Sequence, residues 1–133
     1  MTLTHSCIRL LGGAAMAAAL ALPALAQTGV DRKPLLTADL PIANHQAVQV
    51  QVTIAPGGRE GRHVHAGALL IYVLSGEEAL ELKDRPTKII KAGESFLVEP
   101  GLVHEGFNRG TTPLVVLGTF INPKDKPLTT PVP

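Results

Sequence analysis

Cysteine is nearly absent. Cys7 is the only one in 133 residues, so an internal disulfide has no partner thiol and stability must come from the core. Tryptophan is missing, and the aromatics reduce to Tyr72, Phe96, Phe107 and Phe120, too few and too widely spaced for a base-stacking surface. Neither sign of charge dominates: 12 Lys+Arg stand against 11 Asp+Glu. The basic residues are scattered, which excludes the electrostatic footprint of a nucleic-acid binder. No serine sits in a Gly-x-Ser-x-Gly elbow and no glycine-rich loop cradles phosphate. Glu77-Glu78, beside a turn, read as solvated surface and not as half of a paired-carboxylate glycosidase site.

No apolar run reaches the roughly 20 residues of a membrane span. The longest, Leu10 to Leu22, covers 13. Arg9 precedes it, Pro23 breaks it, and Ala24-Leu25-Ala26 places small residues where a signal peptidase reads. That is the pattern of an export signal cleaved after Ala26. Residues 1–26 are therefore expected to be a signal peptide, and the mature protein to be periplasmic or secreted, with no membrane attachment. Cleavage removes His5 and Cys7, leaving no thiol nucleophile, and loss of Arg9 balances the charges at 11 against 11.

The remainder is one domain's worth of chain. Residues 27–44 form an N-terminal arm or edge strand, limited to extended backbone by Pro34 and Pro41. Ala47 to Ile54 alternates strictly, with Val48, Val50, Val52 and Ile54 on one face. Pro56-Gly57-Gly58 reads as a turn. Arg62 to His65, Leu69 to Leu74, Thr87 to Lys91, Glu94 to Val98 and Leu114 to Ile121 read as further strands between Gly and Pro breaks. Glu77 to Leu82 has helical propensity, but it is short, and Leu80 and Leu82 lie two apart, which favours a strand. Short strands at this spacing with no long helical pattern predict an all-β sandwich or barrel. Residues 122–133, with Pro123, Pro127, Pro131 and Pro133, read as an extended or disordered tail.

His63 and His65 are two apart, so on a strand both imidazoles project from one face. Alone, the pair is equally compatible with solvated polar surface. Its surroundings add weight: Gly57-(x5)-His63-x-His65, then Gly76, then Gly93-(x7)-Gly101-(x2)-His104-(x3)-Asn108. This arrangement resembles the two signature motifs of the cupin superfamily, over residues 45–121. The resemblance implies an antiparallel double-stranded β-barrel, a jelly roll, holding a divalent transition metal (zinc, copper, iron, manganese or nickel) through His63, His65 and His104. The family's ligand glutamate has no counterpart, because Leu69 stands in its place, and Glu99 occupies the position of the second-motif proline.

Three neutral imidazoles leave the full charge of a divalent ion uncompensated, which favours an anionic second partner. The expectation is an oxygen-using, dioxygenase-like metalloenzyme for a small anionic organic molecule. The alternative is a non-catalytic binding or sensing barrel with a degenerate site. A homodimer is the expected assembly. Glu99 is a conceivable replacement ligand, whereas Glu105, adjacent to His104, should point the opposite way by strand parity. Parity also puts Leu69, Ile71 and Val73 on one face, so the wall beside the metal should be apolar. Phe96, Val98 and Phe107 are further lining candidates, and Arg59 and Arg62 candidate anion-binding residues. Asn108 is expected to cap a turn.

Overall fold

The computed structural model describes residues 27–133; the signal peptide expected over residues 1–26 lies outside them. Ten strands form: β1 (Thr28–Asp39), β2 (His45–Arg59), β3 (His63–Val64), β4 (Ala68–Ser75), β5 (Glu77–Leu82), β6 (Lys88–Lys91), β7 (Ser95–Val98), β8 (His104–Phe107), β9 (Leu114–Pro123) and β10 (Thr130–Pro131). Among the described residues there is no helix long and apolar enough to cross a membrane. Every pairing is antiparallel. The main path runs β10-β3-β8-β2-β9-β4-β7, with β1 on β2 and β5 between β8 and β6. Two facing layers result, β1-β2-β9-β4-β7 and β6-β5-β8-β3-β10, bridged where Arg59 at the end of β2 meets Phe107 of β8. This is an antiparallel jelly-roll barrel.

Alternation builds the interior. On β2 Val50, Val52 and Ile54 are buried, on β4 Leu69, Ile71 and Val73, and on β9 Leu114, Val116 and Phe120. Register brings the three sets onto one inner face: Val52 lies opposite Val116, and Leu69 opposite Phe120. The strand expected over Glu77 to Leu82 forms as β5, because register with β6 and β8 stabilises it where isolated helical propensity would not.

Two local departures from the sequence expectation shape the site. Pro56-Gly57-Gly58 is not a hairpin turn but an irregular stretch of β2, with Gly57 at a φ of 75° and a register shift against β1 between Thr28 and Val30. The irregularity carries β2 from one layer to the other, as bulges do at barrel corners. The proline-rich tail, in turn, is ordered. Thr130–Pro131 pairs with β3, and Asn122, 1% exposed, donates to the carbonyls of Pro123 and Lys126, folding the tail back across the barrel end.

Candidate metal centre and cavity

His63 and His104 are direct cross-strand partners on β3 and β8, and His65 follows β3 on the same face as His63. The loop beyond must pass very close to β9. A side chain at Gly67 would collide with the backbone carbonyl of Ile121, so glycine there lets His65 be pressed inward. All three histidines are buried. Their rings pack 4.4 to 4.9 Å apart, centroid to centroid, and one ring nitrogen from each lies within 4.8 Å of the others.

The hydrogen bonds orient the rings. Nδ1 of His63 donates to the Gly61 carbonyl at 2.7 Å, that of His65 to Leu128 at 2.8 Å, and that of His104 to Leu102 at 2.9 Å. A carbonyl only accepts, so each Nδ1 carries a proton, which leaves Nε2 as the ligand atom of the neutral ring. The buried Nε2 atoms of His65 and His104 have no partner. Burial pushes His65 down to about 4 and His104 down to about 3, with neighbouring charge as a smaller cause, so both rings are neutral near pH 7. Three imidazoles, each braced by a backbone carbonyl and with one ring nitrogen of each within 4.8 Å of the others, fit a divalent transition metal.

In front of His63 and His65 lies a cavity. Val50, Val52, Ile54, Leu69, Ile71, Val116 and Phe120 form its apolar wall. The Phe120 ring meets His65 edge-on at 4.9 Å. Arg32, Glu60, His63, His65, Glu78 and Thr129 supply its polar groups.

Several residues proposed from sequence lie elsewhere. Glu99 is an exposed residue paired with Arg85 at 2.8 Å; strand parity is lost at the Pro100-Gly101 turn, and the side chain leaves the barrel. Glu105 faces away from the histidines, as parity predicts, and binds Arg59 at 2.9 Å and the amide of Gly61. The Arg59 hydrogen bond holds Glu105 below the ordinary carboxylate range. Arg59 also reaches Glu81 and covers the Phe107 ring at 4.3 Å, which occupies it fully, and Arg62 lies in an outer groove with Glu81 and Lys83. Val98 is core and Phe96 and Phe107 are half-buried elsewhere, so none of the three lines the cavity. Asn108 caps its turn, donating to the Ile54 and Thr112 carbonyls and accepting from Gly110.

Arg32, Glu60 and Glu78 line the cavity and were missed from sequence. Arg32 enters the cavity from β1, because its register partner is the inward-facing Val52; the alternation of Val30 and Arg32 was the available signal. Glu78 is not solvated surface but 2% exposed. It shares the inner face of β5 with Leu80, and the spacing of Leu80 and Leu82 two apart, extended one step back, reaches it.

The cupin domain family matches residues 50–122, which hold all three histidines. The chain belongs to the cupin family. Germin-like protein subfamily 2 member 2 of Arabidopsis thaliana is 39% identical over 75 residues, covering 53% of this chain and 34% of that protein. Oxalate oxidase 2 of Hordeum vulgare is 33% identical over 78 residues, covering 53% and 35%. This cupin thus matches about a third of the length of those curated relatives. A cupin-like protein from Thermotoga maritima superposes with a TM-score of 0.67 at 26% identity, over 80% of this chain and 78% of the other.

Proposed function

We propose that this cupin is an exported metalloenzyme that binds a divalent transition metal through His63, His65 and His104 and oxidises a small anionic organic molecule with oxygen. The observation that carries the reading is the cluster of three buried histidines, each fixed by an Nδ1 donation to a backbone carbonyl, with one ring nitrogen of each within 4.8 Å of the others. A bound ion supplies Lewis acidity and, if redox-active, a centre at which an anionic substrate and oxygen exchange electrons. The residues around it bind and exclude. The wall from Val50 to Phe120 keeps water out, and Arg32 at the cavity edge is paired with Glu60 at 2.8 Å.

The oxalate oxidase of Hordeum vulgare supports a small carboxylate as substrate. Oxidation requires a metal that changes oxidation state, which zinc does not, so this reading favours manganese, iron or copper. The outer face of β4 and β7 supports a homodimer: Leu70 and Leu97 are paired neighbours, exposed at 47% and 53%, beside Tyr72 at 41%.

Elemental analysis of the purified mature protein and of a His63→Ala/His104→Ala variant tests the metal. Stoichiometric transition metal is expected in the first and none in the second; a metal-free unmodified protein sinks the proposal. Oxygen uptake with oxalate, glycolate, diketones, flavonols and thiols then separates an enzyme from a non-catalytic binder.

A further inference from the structure

Glu78 is a buried acid without a cation. Its Oε2 has no hydrogen-bond partner, the side chain is 2% exposed, and it lines the same cavity as His63 and His65. Beside it lies a second carboxyl group. Glu60 Oε2 and Glu78 Oε1 approach the α-carbon of Gly106 so closely that a β-carbon there would stand 2.5 and 2.8 Å from them. A side chain at 106 would have to displace this pair. Glu60 pairs with Arg32 Nη2 at 2.8 Å and is tethered through its amide to the Gly106 carbonyl.

The two acids therefore differ in surroundings: Glu60 has a cation beside it and Glu78 has none. Burial, reinforced by the charge of Glu60, raises Glu78 to about 8, so it carries a proton at neutral pH. The groups facing it are few: Glu60 from the end of β2, Arg32 from β1, and His63 and His65 across the cavity. Ile90 of β6 and Gly106 of β8 do not titrate, while Glu105 points out to Arg59. A neutral carboxylic acid next to an anchored carboxylate is an arrangement that separates donor from acceptor roles.

We propose that Glu78 is a catalytic proton donor and acceptor of this cavity, gripping a small carboxylate substrate through its O–H and passing that proton to it, with Glu60 as the positioning residue. This rests on the reading of the cavity as a metal-assisted site for small anions. In the transfer, the Glu78 O–H bond breaks, its electron pair stays on the carboxylate oxygen, and the proton bonds to the substrate atom bearing negative charge. Glu78 is left as a carboxylate and is reprotonated from water at the cavity edge beside Arg32. With Glu78 neutral and Glu60 balanced by Arg32, the cavity acids present no net charge against an incoming anion.

Calorimetry with zinc, then with oxalate on the zinc-loaded mature protein, tests this between about pH 6 and pH 10, the span over which Glu78 changes charge. Zinc uptake by the unmodified protein but not by His63→Ala/His104→Ala comes first; its absence overturns the metal reading, and the substrate role of Glu78 with it. Given zinc, the ratio of wild-type to Glu78→Gln affinity for oxalate is expected to stay level to about pH 8 and then fall about tenfold per pH unit. Hydroxide competition at the metal is common to both proteins and cancels. Glu60→Gln should start the fall at lower pH. A ratio that does not change with pH, or no oxalate binding at all, overturns the proposal while leaving zinc binding intact. Infrared spectra of the metal-free protein give a readout independent of the ligand: a protonated-carboxyl band at neutral pH that vanishes in Glu78→Gln is expected, and its absence overturns the assignment.

Discussion

Replacing Glu78 by glutamine removes a titrating group with almost no change of volume, and its effect on stability follows from the fold alone. The folded chain holds this carboxyl at about 8 against an ordinary 4.5, through burial first and the Glu60 charge second. The folded state therefore binds the proton more tightly than the unfolded state. The stability contributed by Glu78 is fully present below 4.5 and is lost as pH rises through about 8. Each pH unit in that window is worth about 1.4 kcal/mol, so going from about pH 5 to about pH 8 should cost the wild type about 4 kcal/mol from this group. His65 and His104 act in the opposite direction. Their folded values, about 4 and about 3, lie below the ordinary 6.5, so their contribution is present above 6.5 and lost as pH falls. Both histidines are common to the two proteins, and subtracting one stability curve from the other leaves Glu78. Urea unfolding at several pH values in chelated buffer measures the difference. Glu78→Gln should gain on the wild type steadily from about pH 5 to pH 8. A difference that stays constant across the window would refute the burial of an uncompensated acid.

Zinc at about a hundredfold excess over its dissociation constant should raise the unfolding free energy by about 2.7 kcal/mol, an increment read by urea titration and absent from His104→Ala. Gly67→Ala forces a methyl group onto the Ile121 carbonyl; thermal unfolding should show a loss of about 3 kcal/mol or more, among the large values for single substitutions, and no zinc-induced increment. Leu70→Glu/Leu97→Glu places like charges on the exposed face of β4 and β7. Sedimentation should show a dimer for the wild type and a monomer for the variant, with unchanged circular dichroism.

The legible part of the fold was carried by period. Val48 through Ile54 alternate without interruption, and Val50, Val52 and Ile54 are buried on β2; Leu69 through Val73 are apolar throughout, read as a strand from their composition, and strand parity turns Leu69, Ile71 and Val73 inward. Strand parity put His63 and His65 on one face, and grouping them with His104 came from the resemblance of the pattern around Gly57, Gly101 and Asn108 to the cupin motifs. What failed was composition taken without register. Glu77-Glu78 look like surface because glutamate usually is, yet only Glu77 is exposed; β5 pairs with β8 so that every second residue from Glu78 faces inward. Prolines suggested a loose tail, but a proline on a two-residue edge pairing loses little, and residues 122–133 close over His65 instead. Arg32 was hidden by the prolines around it, since inward orientation on β1 is fixed by Val52 of β2, twenty residues further along the chain.

Leu69 and Glu78 together explain how the cavity treats charge. A carboxylate at 69 would bind the metal permanently and halve the charge it presents. Here that position is apolar, 6% exposed and packed on Gly118, and the cavity's spare acid sits instead on β5, where it is neutral at pH 7 and competes with no anion. Leu69→Glu reverses this choice. Without metal it buries an unpaired carboxyl and should lose about 2 to 4 kcal/mol of stability; with zinc much of that loss should return, because the carboxylate becomes a ligand. Zinc affinity should rise roughly tenfold or more, one added charge-assisted contact being worth about 1.5 kcal/mol or more, while oxalate affinity of the zinc form should fall. Calorimetry of both ligands decides it. If zinc affinity is unchanged, Leu69 does not face the ion, and the charge imbalance proposed to draw anions into this cavity has been assigned to the wrong wall.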